Sequence, residues 1–152
     1  MRFFSFFSPF IALFLLSFIA GCNSSNSLIS EKKEVCPKCS MTLPESNIHT
    51  AKLQNGSAKY HFDDLGCLIL WAKDKNINIA EAKTEVFSND THRYIEVQKA
   101  HFSVNEKTPM GYGFGAYENE KANTIIIDEV ALKMLRGEHM ANPKIRKQIL
   151  AH

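Results

Sequence analysis

Cys36-Pro37-Lys38-Cys39-Ser40-Met41 places two thiols and a thioether within one short stretch. All three are soft sulfur donors, and such donors select Cu(I), zinc or iron–sulfur clusters over hard cations. The thiolate is the actual ligand, and a bound metal draws the thiol proton off at neutral pH. A Cys-x-x-Cys spacing lets both sulfurs converge on one ion. Met41 adds a neutral thioether, which contributes little to Zn²⁺ but suits Cu(I). The candidate ligands are therefore Cys36, Cys39 and Met41, with a lean towards copper.

Three other chemistries fit the same residues. A Cys36–Cys39 disulfide closes so small a loop that it stabilises by roughly 2 kcal/mol, against roughly 3.5 for Cys39–Cys67. As a staple the short loop is the poorer choice. A structural zinc site needs further ligands, and the chain has no second Cys-x-x-Cys; His61 with Cys67 would complete a Cys₃His set at an atypical spacing. A redox dithiol sits by preference at a helix N-terminus after a strand, whereas this motif follows a polar segment. Cys67 by itself reads as a small buried hydrophobe.

Thr108-Pro109-Met110-Gly111-Tyr112-Gly113-Phe114-Gly115 is the second informative stretch. Pro109 fixes one backbone angle, and the glycines permit turns that other residues resist. Met110 is held on this turn as a further candidate thioether. His49 and His61 are each read first as solvated or packed residues rather than ligands; His101 begins a strand, and His139, beside Met140 in a loop, is read as an opportunistic metal contact.

These groups need elements to position them. His49 to Phe62 alternates around Asn55-Gly56, a hairpin signal of the primed-turn type. That turn predicts Leu53 opposite Ala58, Ala51 opposite Tyr60 and His49 opposite Phe62, with Lys52, Lys59, Thr50 and His61 on the other face. Asp63 or Asp64 caps a helix running to about Ala72, with Leu65, Leu68, Ile69 and Ala72 at helical spacing. Strand-like runs follow at Thr84–Ser88, Tyr94-Ile95, Ala100–Val104 and Thr124–Ile127. Asp128 is expected to cap a helix through Arg136 that stops at Gly137, and Asn142-Pro143 opens a last helix. The pattern predicts an α+β fold of small antiparallel sheets with helices, in which a hairpin followed by a helix occurs twice.

The chain also carries an address. Arg2 precedes an apolar run from Phe3 to Ala20, broken only by Ser5, Ser8, Pro9 and Ser17. This reads as a secretory signal and is short for a membrane span. Ile19-Ala20-Gly21-Cys22 resembles the lipobox of bacterial lipoproteins. That resemblance implies cleavage before Cys22, lipid on its sulfur and amino group, and a place on the periplasmic face of a bacterial membrane. An uncleaved anchor and a free Cys22 are the alternatives. The expected organisation is a signal peptide at 1–21, a flexible Ser/Asn-rich tether at 22–34, a metal-binding domain at 35–137 and a helical extension at 138–152. Without the leader, 17 basic residues face 16 acidic ones, a balance that argues against nucleic acid as a partner. Three thiols then remain, an odd number that fits no pure disulfide framework.

Cys36-Pro37-Lys38-Cys39-Ser40-Met41, then Phe62-Asp63-Asp64-Leu65-Gly66-Cys67, then Pro109-Met110-Gly111-Tyr112-Gly113 together resemble the NosL family, over roughly Glu34 to Val130. These are lipoprotein copper chaperones associated with maturation of nitrous oxide reductase. The resemblance implies two related β-β-α units, Cu(I) as the bound ion, no enzymatic activity, and handover of copper to the reductase or its assembly complex. It assigns the principal thiolate to Cys39, thioether donors to Met41 and Met110, and an auxiliary thiol to Cys36. Ser40 stands where the family motif usually carries Gly.

Overall fold

The computed structural model describes residues 33–151. The leader, Cys22 and the tether up to Lys32 lie outside the described residues. β1 (Ala51–Asn55) and β2 (Ala58–Phe62) form the expected hairpin. Its turn is Gly56-Ser57, so Leu53 faces Tyr60 and Ala51 faces Phe62, two residues out from the expected pairing. The reason lies in Gly56, which adopts φ +60°: a primed turn with glycine at its first central position costs nothing there. Because the displacement is even, the side chains of β1 and β2 keep their predicted faces, while His49, at φ +67°, lies outside the strand.

β3 (Lys83–Phe87) pairs with the other edge of β1, and β4 (Tyr94–Glu96) with β3, giving an antiparallel sheet in the order β2-β1-β3-β4. Its inner face presents Ala51, Leu53, Phe62 and Val86, all within 1 % of full burial. Helix α1 (Leu65–Asp74) covers this face with Leu65, Leu68, Ile69, Trp71 and Ala72. The Trp71 ring lies tilted at 4.3 Å from Tyr60 and edge-on at 5.4 Å from Phe62. Burying each such side chain contributes roughly 1.5–3 kcal/mol, so α1 is held on the sheet by packing.

A single 3-10 turn (Val97–Lys99) leads to β5 (His101–Ser103), which pairs with β6 (Gly115–Tyr117) in a second antiparallel sheet. Thr124–Ile127 is not a strand. Only Ile125 bridges to Phe102, and α2 (Ile127–Arg136) already begins at Ile127. Asp128 is likewise not the cap, which falls on Ile126 without a side-chain bond; Asp128 lies in the first helical turn, where its charge complements the helix dipole. Gly137, at φ +72°, ends α2. Asn142 caps α3 (Pro143–Leu150) through Lys144 N at 3.1 Å, with Pro143 in the first position.

The fold is thus α+β, with three helices and two small antiparallel sheets among the described residues. β1-β2-α1 and β5-β6-α2 repeat the same order of elements. The two helices meet at Gly66, where an added Cβ would lie 2.6 Å from Tyr112 Cγ and 2.9 Å from Met134 Cε. Only glycine permits that approach.

Candidate metal centre

Cys36 to Met41 forms a tight knuckle. Ser40 N donates to Cys36 O and Cys36 N donates to Met41 O, both at 2.8 Å. Closing it requires the left-handed region at Ser40, φ +62°, which is the conformation that glycine adopts without strain. The base of the knuckle is tied by the Val35–Thr42 bridge and by Leu43 N donating to Glu34 O at 2.9 Å. Its outer side is held by Lys38 Nζ on Asp74 Oδ2, 2.6 Å, at the end of α1.

The knuckle rests on the junction of β2 and α1. There the Cys36, Cys39 and Cys67 sulfurs and one Asp63 carboxylate oxygen all lie within 4.8 Å of one another. Cys36, Asp63 and Cys67 are wholly buried; Cys39 is half-buried and forms the outward edge. Sulfurs arranged tetrahedrally around an ion at 2.3 Å are about 3.8 Å apart, so a contraction of under about 1 Å closes the set. Cys67 lies in the first turn of α1, where the helix dipole favours negative charge.

The protons are distributed unevenly. The neighbouring Cys67 thiol holds the Cys36 pKa down at about 6, against the opposing effect of burial. The same proximity, with burial, pushes Cys67 far up. Burial pushes Cys39 up to about 11, and its S–H donates to Asp63 Oδ1 at 3.2 Å. Of the three thiols, Cys36 is therefore the one that gives up its proton most readily. The other Asp63 oxygen, Oδ2, is buried without any hydrogen-bond partner. A buried carboxylate oxygen lacking a donor is costly, and a cation beside it would remove that cost. The residues present thus fit a metal ion: three sulfurs, one of them with a lowered pKa, and a buried oxygen without a partner.

Comparison of the chain with known protein families, with curated proteins and with solved structures finds no match. What the centre does must be read from its own residues.

Asp64, next to the oxygen donor, has a different task. One oxygen caps α1 by accepting from Gly66 N at 2.9 Å. The other accepts from Thr108 Oγ1 at 2.6 Å and from Met110 N at 3.1 Å. Burial raises its pKa, while these three donors oppose the rise. The Pro109-Met110 turn is thereby fastened to the start of α1.

Of the candidate ligands, Cys36 and Cys39 are brought into the donor set. Met41 is 43 % exposed on the knuckle, with its carbonyl accepting from Cys36 N. Met110 is half-buried, with its backbone on Asp64. No histidine joins the set among the described residues. His61 instead bonds Glu34 Oε2 at 2.8 Å and Tyr94 OH at 2.7 Å, and His139 lies edge-on to Tyr112 at 5.0 Å. Asp63 is the donor that sequence reasoning did not assign, and Cys67 entered there only in the zinc alternative beside His61. Cys67 is buried in the core as expected, and its sulfur also belongs to the donor set. The signal for Asp63 was the Asp-Asp pair itself: only one of the two can cap the helix, which leaves the other free for a second role.

Proposed function

We propose that this protein binds one soft metal ion, Cu(I), at the Cys36–Cys39–Cys67–Asp63 centre and carries it to a recipient. The carrying observation is the convergence of three free thiols within 4.8 Å, with Cys39 alone at the surface edge. Three sulfurs suit a soft monovalent ion. As the ion enters, the Cys39 and Cys67 thiols release their protons. An incoming ligand from a recipient would meet Cys39 first, beside the exposed Met41, while Cys36 and Cys67 still hold the ion from below. Met41 and Met110 then serve as thioethers flanking that exchange. The NosL resemblance supports the same reading: a lipid-anchored, non-enzymatic chaperone at the periplasmic face of a membrane, supplying nitrous oxide reductase or its assembly complex.

The unpartnered Asp63 oxygen favours a second reading, a structural Zn²⁺ held by three cysteines and a carboxylate. A thiol oxidoreductase fits less well. Its attacking thiol must be both ionised and accessible, yet here the most readily ionised sulfur, Cys36, is fully buried and the accessible one, Cys39, is pushed up to about 11.

Titration of the reduced full-length chain with Cu(I) and with Zn²⁺ against competing chelators, followed by circular dichroism, separates these readings. The carrier reading expects one Cu(I) per chain, affinity reduced by orders of magnitude in Cys39→Ser and Cys67→Ser, and an intact fold after the metal is stripped. Preferential Zn²⁺ binding with unfolding on chelation would establish the structural site instead.

A further inference from the structure

Charge is shared unequally along this chain. Residues 133–151 hold five of the 18 basic side chains, Lys133, Arg136, Lys144, Arg146 and Lys147, and one of the 16 acidic ones, Glu138. Thirteen basic residues therefore face fifteen acidic ones elsewhere. The net charge of +2 is a basic end at +4 joined to a remainder at −2.

Helix α3 is the centre of that basic end. Lys144, Arg146 and Lys147 are all exposed, α3 contains no acidic residue, and none of the three forms an ion pair with a described carboxylate. No residue of α3 is buried. Its start is nonetheless firmly specified, by the Asn142 cap and Pro143. Ile145 and Ile149, one turn apart, are half-buried and line a groove with Val104 and Lys133. The opposite side is unpartnered. Arg146 and Leu150 are also one turn apart, with Lys147 three residues before Leu150, and Leu150 is 62 % exposed. A large apolar side chain standing among cations on a surface helix is the arrangement that settles into a phospholipid headgroup layer.

We propose that the outer face of α3 docks on an anionic phospholipid surface. Lys144, Arg146 and Lys147 pair with the phosphate groups, and Leu150 enters the acyl boundary. An acidic protein would satisfy the three cations but has no general need of Leu150; a bilayer uses both. Three cations and one leucine make a weak anchor by themselves, and weak anchors become effective when a second attachment holds the chain near the surface. This docking is independent of the metal centre, since none of its residues touches the four donors.

The test is amide hydrogen exchange on the full-length chain, reconstituted in bilayer discs of phosphatidylcholine alone or with about a third phosphatidylglycerol. Exchange over residues 143–151 is expected to slow by about tenfold or more on the anionic discs only, with the slowing reversed by about 0.5 M salt. The triple variant K144Q/R146Q/K147Q should lose the slowing, and Leu150→Ser should reduce it severalfold, with exchange in β1 and β3 unchanged as the check on folding. Equal exchange on both discs overturns the proposal, as does slowing that is indifferent to Leu150→Ser. Slowing produced equally by heparin without any bilayer also overturns it, and assigns the face to an acidic macromolecule.

Discussion

The reduced, metal-free protein should become more stable as pH rises from 6 to 9, and less stable above that. In the folded chain Cys36 ionises at about 6, against an ordinary 9.0. Between those values the unfolded chain keeps the proton that the folded chain has released, so each pH unit adds about 1.4 kcal/mol. Three such units set a ceiling of about 4 kcal/mol. This contribution is fully present above the ordinary value and is lost as pH falls through about 6. Cys39, at about 11, and Cys67, pushed higher still, act in the opposite sense. Above about 9 the unfolded chain releases those two protons first, and stability declines. His49 and His139, which burial holds below their ordinary 6.5, add their gain as pH rises to about 6.5, at the foot of this window. Urea midpoints measured across the range, in strong reductant and chelator, should rise and then fall. The ultraviolet thiolate band should report one ionised sulfur by neutral pH. Cys36→Ser supplies the reference, and the rise from 6 to 9 should vanish in it. Parallel curves for the two proteins, or no thiolate band below pH 8, would refute the proximity of Cys67 as the cause of the lowered Cys36 pKa.

Two further outcomes are expected. Ser40→Gly removes a left-handed conformation from a residue with a Cβ, and should stabilise the protein by about 1 kcal/mol, read as a raised melting temperature. Thr108→Val deletes the hydroxyl donor to the buried Asp64 carboxylate and should cost about 1–3 kcal/mol; hydrogen exchange at Met110 to Gly113 should quicken as the turn loosens from α1, and an unchanged melting temperature with unchanged exchange would count against the fastening.

Much of the scaffold was legible because its signals are local. Asp64 is the cap of α1, Gly137 the stop of α2, and Asn142-Pro143 the start of α3, each readable from a few neighbouring residues. The faces of the first hairpin were legible for the same reason, while its register was not. Asn55-Gly56 and Gly56-Ser57 are both plausible turns, and the choice between them depends on which pairing lets Leu53 meet Tyr60 over Trp71. β6 gave no warning, because Gly115–Tyr117 is a strand only through its partner β5. The same divide runs through the metal centre. Cys36 and Cys39 announce themselves by spacing. Asp63 and Cys67 do not, because their proximity to the knuckle is created by β2 ending where α1 begins, and no spacing rule links residue 39 to residue 63.

The four donors come from two stretches of chain, the knuckle and the head of α1. A bound ion would therefore act as a rivet, closing a covalently continuous ring from Cys36 to Cys67. A protease that nicked the polypeptide between Met41 and Phe62 would leave its two pieces clasped while an ion was bound, and separable at that clasp once the ion had left. Occupancy of the centre would thus be written in the connectivity of the molecule as well as in its charge.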